Sequence, residues 1–294
     1  MNPSAIGSPS MVAPIRRLLL NHARDAFVDQ PKIDREWARL RYTSAPDYGK
    51  AVAEYEAFLA LFQELDVAIH FLPPDESTTL DALYVRDAAL VAHDGVILGN
   101  MGKADRRTEP AALGAFVERL GLPVIGSITD PGRLEGGDVV WLDARTVAVG
   151  EGYRSNAEGI RQLAEILGDR VDAVLAVPLP HWNGPDDVFH LMSVISPLAD
   201  DLALVYSRLM PAPFRQRLLD RGIRLIEVSD DEFDALGCNV LAVAPRRAIM
   251  ADGAPKTRGR LEQAGVEVHV YPAAEISHKG LGGPTCLTQP LLRV

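Results

Sequence analysis

Residues 96–128 read VILGNMGKADRRTEPAALGAFVERLGLPVIGSI, and this stretch decides the fold because its pattern recurs along the chain. A β-branched run typical of a strand is followed by a polar loop, an apolar-periodic helix and a second strand. The same order is found at residues 146–180, 202–229 and 247–272, and in a longer N-terminal copy containing segments 16–22 and 50–66. Several helices end at a glycine-containing turn, which is a common stop signal. The chain is therefore predicted to contain five α/β units.

One further strand precedes each of the last four units and is joined to it by a short polar turn. These turns, which suit β-hairpins, are residues 93–95, 143–145, 199–201 and 245–247. The C-terminal run CLTQPLLRV, residues 286–294, would be the leading strand of the first unit and pair with residues 16–22. A repeat of roughly fifty residues indicates a radial array, and pairing of the termini would remove exposed sheet edges.

We therefore predict an α/β fold, a five-bladed pseudo-symmetric α/β propeller whose ring is closed by the N- and C-terminal strands. Residues 15–294 are expected to form a single catalytic domain. An ordinary α/β sandwich with chance similarity between its units is the alternative. The first fourteen residues, MNPSAIGSPSMVAP, have no apolar core after a basic start, so we predict a disordered lead-in rather than a signal peptide.

Composition narrows the partners of the 294-residue chain. Its formal net charge of −10 argues against nucleic-acid and anionic-membrane partners, and no apolar run reaches the ~20 residues that span a bilayer. The two cysteines, Cys238 and Cys286, are predicted to be free thiols in a reducing, cytoplasmic setting. Seven scattered histidines show no metal-ligand spacing, so no metal site is predicted.

Polar residues stand at the entry to every leading strand. They are Asp87, Glu135 with Asp138, His190, Cys238 with Asn239, and Cys286. In a radial array such positions face a common centre, and burying unpaired charge in a core is costly. Convergence of titratable groups in one pocket is typical of an active site. A shared catalytic centre is thus predicted.

The residue types favour nucleophilic chemistry. Cys286 follows the glycine-rich turn 280–283, whose glycines allow close backbone approach and positive φ. A thiolate needs a base or a nearby cation, and His190 can carry a proton near neutral pH. Glu135 could orient that imidazole, and Asp87 could accept paired N–H donors from a planar cation. Alternatively, Cys286 is a small buried hydrophobe, the role that we predict for Cys238.

Several motifs follow one another in a characteristic order. They are DALYVRD at 81–87, NMG at 100–102, RRTE at 106–109, LEGGD at 134–138, RSN at 154–156, HLMS at 190–193, GCN at 237–239, and the late Cys286. From about residue 16 onward the chain resembles the dimethylarginine dimethylaminohydrolases, within the superfamily that includes arginine deiminases and amidinotransferases. The resemblance implies a five-bladed propeller with an axial site, a small guanidino substrate and no cofactor.

The resemblance also implies a role for each site residue. Cys286 would attack the guanidinium carbon, His190 would transfer protons, and Glu135 and Asp87 would hold the guanidinium. Asp81 would meet the α-amino group, whereas Arg106 and Arg154 would bind the carboxylate. Residues 37–48 lie where the family has a loop over the site. Whether the chain forms a homodimer stays open.

Three departures from the family pattern bear on the substrate. Arg86 replaces an acid and is more typical of arginine deiminases, whereas Met192 replaces a deiminase acid and fits N-methyl groups. Residues 181–187 look inserted. We favour hydrolysis of Nω-methylated arginine to citrulline and an alkylamine. The alternatives are an arginine deiminase-like hydrolase, an amidinotransferase, and a non-catalytic propeller that acts as a binding protein.

Overall fold

The computed structural model describes residues 5–294, which form fifteen strands in five three-stranded sheets. In every sheet the leading strand is antiparallel to the middle strand, and the middle strand is parallel to the last. The five sheets fit the predicted propeller-like arrangement. The strands are β1 (Ile15–Leu20), β2 (Ala68–Phe71), β3 (Ala89–Val91), β4 (Val96–Leu98), β5 (Val124–Ser127), β6 (Val139–Asp143), β7 (Thr146–Glu151), β8 (Ala173–Pro178), β9 (Ile195–Ala199), β10 (Leu202–Val205), β11 (Arg224–Glu227), β12 (Val240–Ala244), β13 (Arg247–Ala251), β14 (Glu267–Tyr271) and β15 (Gln289–Arg293).

The predicted hairpins are confirmed. The pairs β3–β4, β6–β7, β9–β10 and β12–β13 are joined by the four short polar turns. The C-terminal strand β15 pairs with β1, as the sequence predicted. The two strands are antiparallel, and Leu19 lies opposite Gln289. Strand β1 in turn pairs in parallel with β2. The first sheet is therefore assembled from both ends of the chain.

Helices connect the two parallel strands of each sheet, because a parallel connection must cross over the sheet. Within residues 5–294 they are α1 (Ala23–Phe27), α2 (Gln30–Leu40), α3 (Tyr48–Ala60), α4 (Glu109–Arg119), α5 (Ala157–Leu167), α6 (Ala212–Asp220) and α7 (Pro255–Gln263). The last four end just before the predicted glycines. Gly121 and Gly265 have φ of 71° and 84°, a left-handed conformation that glycine adopts without steric cost.

The first unit differs from the prediction in its helices. The sequence analysis placed a loop across Trp37, but α2 runs through it and ends at Leu40. The start signal is Asp29, whose carboxylate accepts a hydrogen bond from Lys32 N at 2.8 Å, with proline in the first turn. Helix α3 also ends at Ala60, six residues short of the 50–66 prediction. Local capping at Asp29 thus starts a helix that the repeat pattern did not predict.

Buried apolar side chains gather in five clusters, and each cluster joins two sheets. One cluster packs Leu204 of β10 against Met250 of β13, and another packs Leu90 of β3 against Val139 of β6. The remaining three join the third sheet to the fourth, the fifth to the first, and the first to the second. The core therefore lies between sheets that are consecutive in the repeat, and the fifth sheet also packs on the first.

Part of the N-terminal segment is hydrogen-bonded to the fold. Gly7 N donates to Leu291 O at 2.9 Å, Gly7 O accepts from Arg293 N at 2.9 Å, and Ser8 N donates to Ala92 O at 3.0 Å. These contacts depart from the disordered lead-in predicted for residues 1–14, of which residues 1–4 lie outside the described part. Across residues 5–294, every helix is too short or too polar to cross a bilayer.

Candidate active site

Three of the predicted site residues meet at the entries to their leading strands. Asp87, Glu135 and His190 directly precede short turns into β3, β6 and β9, and all three are almost fully buried. One side-chain oxygen or nitrogen of each lies within 4.8 Å of the other two. The repeat therefore brings together residues that are about fifty positions apart in sequence.

Glu135 lies at the centre of this group and has no solvent exposure. Its Oε2 contacts His190 Nε2 at 2.7 Å and accepts from Arg154 Nη1 at 2.9 Å. Its Oε1 accepts from the backbone N–H groups of Gly102 and Lys103 at 3.0 and 3.1 Å. Burial acts to raise the pKa of Glu135, but the Arg154 guanidinium and the His190 imidazole outweigh it and hold the pKa well below its usual range. Glu135 is therefore a buried carboxylate that stays ionised.

His190 is a buried cation at neutral pH. Burial acts to lower its pKa, but Asp87, Asp138 and Glu135 together raise it to about 9. Its Nδ1 lies 3.9 Å from Asp87 Oδ1. Because Nε2 is taken by Glu135, Nδ1 is the nitrogen left to exchange a proton with a ligand.

Asp138 supports the histidine through the backbone. Its Oδ1 accepts from Leu191 N at 3.0 Å, and its Oδ2 accepts from the Ser155 hydroxyl at 2.6 Å. Complete burial raises its pKa to about 6. The bond to Leu191 holds the turn that follows His190.

Asp87 is held by Arg106, whose side chain is also buried. Arg106 Nη1 donates to Asp87 Oδ2 at 2.5 Å, while Nε and Nη2 donate to Glu109 at 2.9 and 2.8 Å. Burial acts to lower the pKa of Arg106, but Glu109 and Asp87 outweigh it and raise the pKa well above its usual range. Sequence reasoning missed Glu109; its position three residues after Arg106 at the start of α4 is a signal for such a pair.

A polar cleft opens beside this group. We call it the polar cleft and define it by five charged side chains that line it, namely Asp81, Asp87, Lys103, Arg106 and Arg154. His190 and Cys286 line the polar cleft as well. Lys103, which sequence reasoning missed, binds Asp81 Oδ2 at 2.6 Å and Leu40 O at 2.8 Å. It lies in the same polar loop as Arg106. All seven predicted site residues are thus in or against one cleft.

Cys286 is half-buried at the end of this cleft, and its thiol is free. Asn239 Nδ2 donates to the sulfur at 3.2 Å. Arg86 binds the adjoining backbone. Its side-chain Nε donates to Thr285 O at 3.0 Å, and its backbone N–H donates to Cys286 O at 3.2 Å. Desolvation and the Asp87 charge raise the pKa of Cys286 to about 11, against the opposing effects of Asn239 and Arg86. The ligand-free protein therefore holds a protonated thiol.

The glycine-rich turn before Cys286 is partly as predicted. A Cβ on Gly283 would lie 2.6 Å from Asn239 Oδ1, and Cβ atoms on Gly280 and Gly282 would overlap the Tyr84 ring. Close backbone approach is thus confirmed. The expected positive φ falls instead on Leu281, at 61°, so the prediction that these glycines supply it was wrong.

Cys238 lies in a different setting, buried to 2% exposure among apolar side chains such as Tyr206 and Val240. Burial raises the pKa of its thiol far above the usual range. This agrees with the structural role predicted for Cys238.

Residues 37–48 lie against the polar cleft. Leu40 and Arg41 line it, Thr43 N donates to Lys279 O at 2.8 Å, and Arg41 pairs with Asp186 at 2.7 Å. The segment thus contacts the loop that precedes Cys286. Its action as a lid stays a prediction.

The carboxylates and imidazole could also ligate a metal ion, since Asp87, Glu135 and His190 present three oxygen and nitrogen atoms together. The sequence gives no short metal-ligand spacing for Asp87, Glu135 and His190, because each residue comes from a different repeat. In this structure, two arginine guanidinium groups already supply positive charge to the carboxylates. The group is therefore a cation-binding site whose present partners are guanidinium ions.

The five α/β units place a thiol, an imidazole and two carboxylates in or against one cleft, as the resemblance to the guanidino-group-modifying superfamily implies. A family model described as N,N dimethylarginine dimethylhydrolase, eukaryotic, matches residues 34–293. The chain belongs to the dimethylarginine dimethylaminohydrolase family.

Known relatives and structures agree with this assignment. The chain is 32% identical to an N(G),N(G)-dimethylarginine dimethylaminohydrolase of Streptomyces coelicolor over 82% of this chain and 86% of the relative. It is similar to the Pseudomonas aeruginosa dimethylarginine dimethylaminohydrolase, solved as a cysteine-to-serine mutant with citrulline, with TM-score 0.76 and 26% identity, covering 96% of this chain and 100% of the other. It is also 27% identical to an arginine deiminase of Listeria welshimeri, over 71% of this chain and 61% of the relative.

Proposed function

We propose that the protein hydrolyses Nω-methylated arginine to citrulline and an alkylamine, through a covalent intermediate on Cys286. The observation that carries this proposal is the buried group of Glu135, His190 and Asp87 at the end of a cleft that Cys286 also lines. A guanidinium ion is planar and pairs well with fixed carboxylates. The citrulline-bound relative, a member of the same family, supports the substrate class.

Substrate binding exchanges internal ion pairs for ligand contacts. Arg154 Nη1 lies 2.9 Å from Glu135, so this carboxylate already accepts a guanidinium in the ligand-free protein. The substrate guanidinium replaces that of Arg154 and lies between Glu135 and Asp87. Arg154 is then free to bind the substrate carboxylate, and Lys103 adds a further cation. Arg106 joins them on release from Asp87 and Glu109, which take up its Nη1, Nε and Nη2 donors. Asp81 releases Lys103 and accepts the α-amino group, since its carboxylate is the matching charge.

The reaction balances with the thiol, the imidazole and water. The bound cation favours ionisation of Cys286, whose thiol proton passes to solvent. The thiolate attacks the guanidinium carbon to form a C–S bond. The bond to the methylated nitrogen breaks, and the amine leaves with the electron pair and a proton from His190 Nδ1. His190 then takes a proton from water, whose oxygen attacks the same carbon. The C–S bond breaks, the thiol is restored, and citrulline leaves. These steps use neither a metal nor an organic cofactor.

The proposal extends to the whole chain. The termini close the five sheets into a propeller ring, supported by the β1–β15 pairing and by the core cluster that joins the fifth sheet to the first. Residues 15–294 form one catalytic domain that works in the cytoplasm, supported by the two free thiols.

Arginine deiminase activity is the second candidate, favoured by Arg86 beside Asp87. The test incubates the protein with arginine, monomethylarginine, asymmetric dimethylarginine and short guanidino acids, and measures citrulline, ammonia and alkylamine. We expect citrulline with methylamine or dimethylamine from the methylated arginines. Ammonia from arginine at a higher kcat/KM would favour the deiminase, and no product from any substrate would favour a binding protein.

A further inference from the structure

A second cleft meets the polar cleft at the Cys286 thiol. We call it the apolar cleft because Trp182, Phe189, Met192, Phe233 and Leu236 line it. Asp187, Val188, His190, Leu281 and Cys286 border both clefts. The reacting sulfur and imidazole therefore form part of the wall between the polar cleft and a cleft in which apolar side chains outnumber the charged residues Asp187, Asp234 and His278.

The apolar cleft contains a row of three aromatic rings. Phe233 stacks on Tyr206, with centroids 4.0 Å apart and an angle of 15°. Trp182 meets Phe233 edge to face at 6.0 Å and 86°. Tyr206 is nearly buried and fixes the row on the core, whereas Trp182 is 39% exposed. Rigid aromatic side chains of this kind suit an apolar ligand group.

Trp182 belongs to residues 181–187, the segment that looks inserted relative to the family pattern. The segment is tied down at both sides, because His181 Nδ1 contacts the Tyr153 hydroxyl at 2.7 Å and Asp186 pairs with Arg41 at 2.7 Å. Trp182 therefore lies in the apolar cleft on a loop that is anchored at both ends. Met192, which replaces a deiminase acid, makes the same wall apolar.

An Nω-substituted arginine has two branches that diverge from its guanidinium carbon. The amino-acid branch carries charges that match Asp81, Lys103 and Arg154 in the polar cleft. When the carbon is within reach of the Cys286 sulfur, the other branch, the substituted nitrogen, points away from those charges. The apolar cleft is the space on that side. A methyl group would touch only the part of it next to the sulfur.

We propose that the apolar cleft binds the departing N-substituent, and that the enzyme hydrolyses arginines whose Nω-substituent is a larger alkyl or arylalkyl group. This proposal rests on the proposed function and specifies its substrate class. The steps balance as for the methylated substrate. The C–S bond forms, the bond to the substituted nitrogen breaks, the primary amine takes a proton from His190, and water replaces the sulfur to give citrulline.

The experiment compares Nω-methyl-, Nω-propyl- and Nω-benzyl-L-arginine as substrates of the full chain. Citrulline formation gives kcat/KM, and mass spectrometry identifies methylamine, propylamine or benzylamine. We expect the two larger substrates to have kcat/KM within about tenfold of the methyl compound. In Trp182→Ala and Phe233→Leu, the benzyl-to-methyl ratio of kcat/KM should fall at least about tenfold. Phe71→Ala removes an equally exposed aromatic side chain outside both clefts and should leave the ratio unchanged.

The outcomes separate this inference from the proposed function. Hydrolysis of methylarginine with a more than about 100-fold loss for the propyl and benzyl substrates overturns the inference and leaves the proposed function standing. An unchanged benzyl-to-methyl ratio in both aromatic variants also overturns it. If no substituted arginine is hydrolysed, the proposed function falls as well. Because the ratio is measured within one variant, partial unfolding cancels.

Discussion

The two cysteines occupy corresponding places in consecutive repeats, yet their surroundings differ. Cys238 precedes β12 and Cys286 precedes β15, and both are free thiols. Cys238 is 2% exposed in an apolar cluster and lines only the apolar cleft, whereas Cys286 borders both clefts and accepts a hydrogen bond from Asn239. The repeat thus determines where each thiol lies, and the side chains contributed by other repeats determine whether it can react.

The same comparison explains how the reactive thiol is controlled. Burial raises the pKa of both thiols, but the pKa of Cys286 stops at about 11 because Asn239 and Arg86 oppose the effect. A thiol with that pKa is protonated at neutral pH. A guanidinium ion beside the sulfur adds a positive charge, which favours the thiolate. Ionisation of Cys286 is therefore expected to accompany substrate binding, and Cys238 has no corresponding partner among the residues placed around its thiol.

The largest expected effect separates the two thiols directly. Cys286→Ser should lower kcat by at least about 10³-fold, since the hydroxyl is a much weaker nucleophile in the same position. The matched variant Cys238→Ser should keep kcat within about threefold, because Cys238 lines only the apolar cleft and does not line the polar cleft, where the charged groups bind the substrate. Citrulline assays measure kcat for both variants, and circular dichroism checks that both are folded. Comparable losses in the two variants would contradict the assignment of the nucleophile.

Much of this contrast was predictable from the sequence. The repeat predicts the shared place of Asp87, Glu135, His190 and Cys286, because hairpin entries are regular features of each unit. Two further residues were harder, since Lys103 lies in a loop without periodicity and Glu109, the first residue of α4, is not one of its apolar residues. Their contacts depend on the final position of other repeats.

The ion-pair partners of Arg106 and Arg154 could not be predicted from the sequence either. The resemblance implied that Arg106 and Arg154 bind substrate, but in the ligand-free structure they pair with Asp87 and Glu135. Buried charges need partners, and the site supplies them from its own side chains. Helix α2 was missed for a different reason, because its capping signal at Asp29 is local and lies outside the repeat pattern.

A smaller effect tests why Cys286 differs from Cys238. Arg86 is buried, and burial lowers its pKa to about 10, so its guanidinium is still charged at neutral pH. In Arg86→Met the thiolate loses this charge, and the pKa of Cys286 should rise by roughly one unit. The rate of Cys286 alkylation by iodoacetamide at pH 8 should then fall about tenfold, as followed by mass spectrometry of the labelled peptide.

Arg86→Lys is the matched control for charge. It keeps a cation but loses the planar donors that bind Thr285 O and the Thr288 hydroxyl. Its alkylation rate should lie between those of the wild type and Arg86→Met. Cys238 should label slowly in every variant. An alkylation profile of Cys286 that is identical in all three proteins would show that Arg86 acts on the backbone alone.

A last effect, on stability rather than on rate, concerns the His190 imidazole, which serves Cys286 and has no equivalent at Cys238. The pKa of His190 is raised to about 9 in the folded protein, against about 6.5 unfolded. Between these pH values the folded state holds one more proton, so the free energy of unfolding should fall by ~1.4 kcal/mol per pH unit. This stabilisation is fully present below pH 6.5 and is lost as pH rises through 9. Urea unfolding from pH 6 to 9 measures the slope, and His190→Gln should flatten it. Cys238→Ser should leave the slope unchanged, and an equal slope in His190→Gln would show that other groups carry the proton.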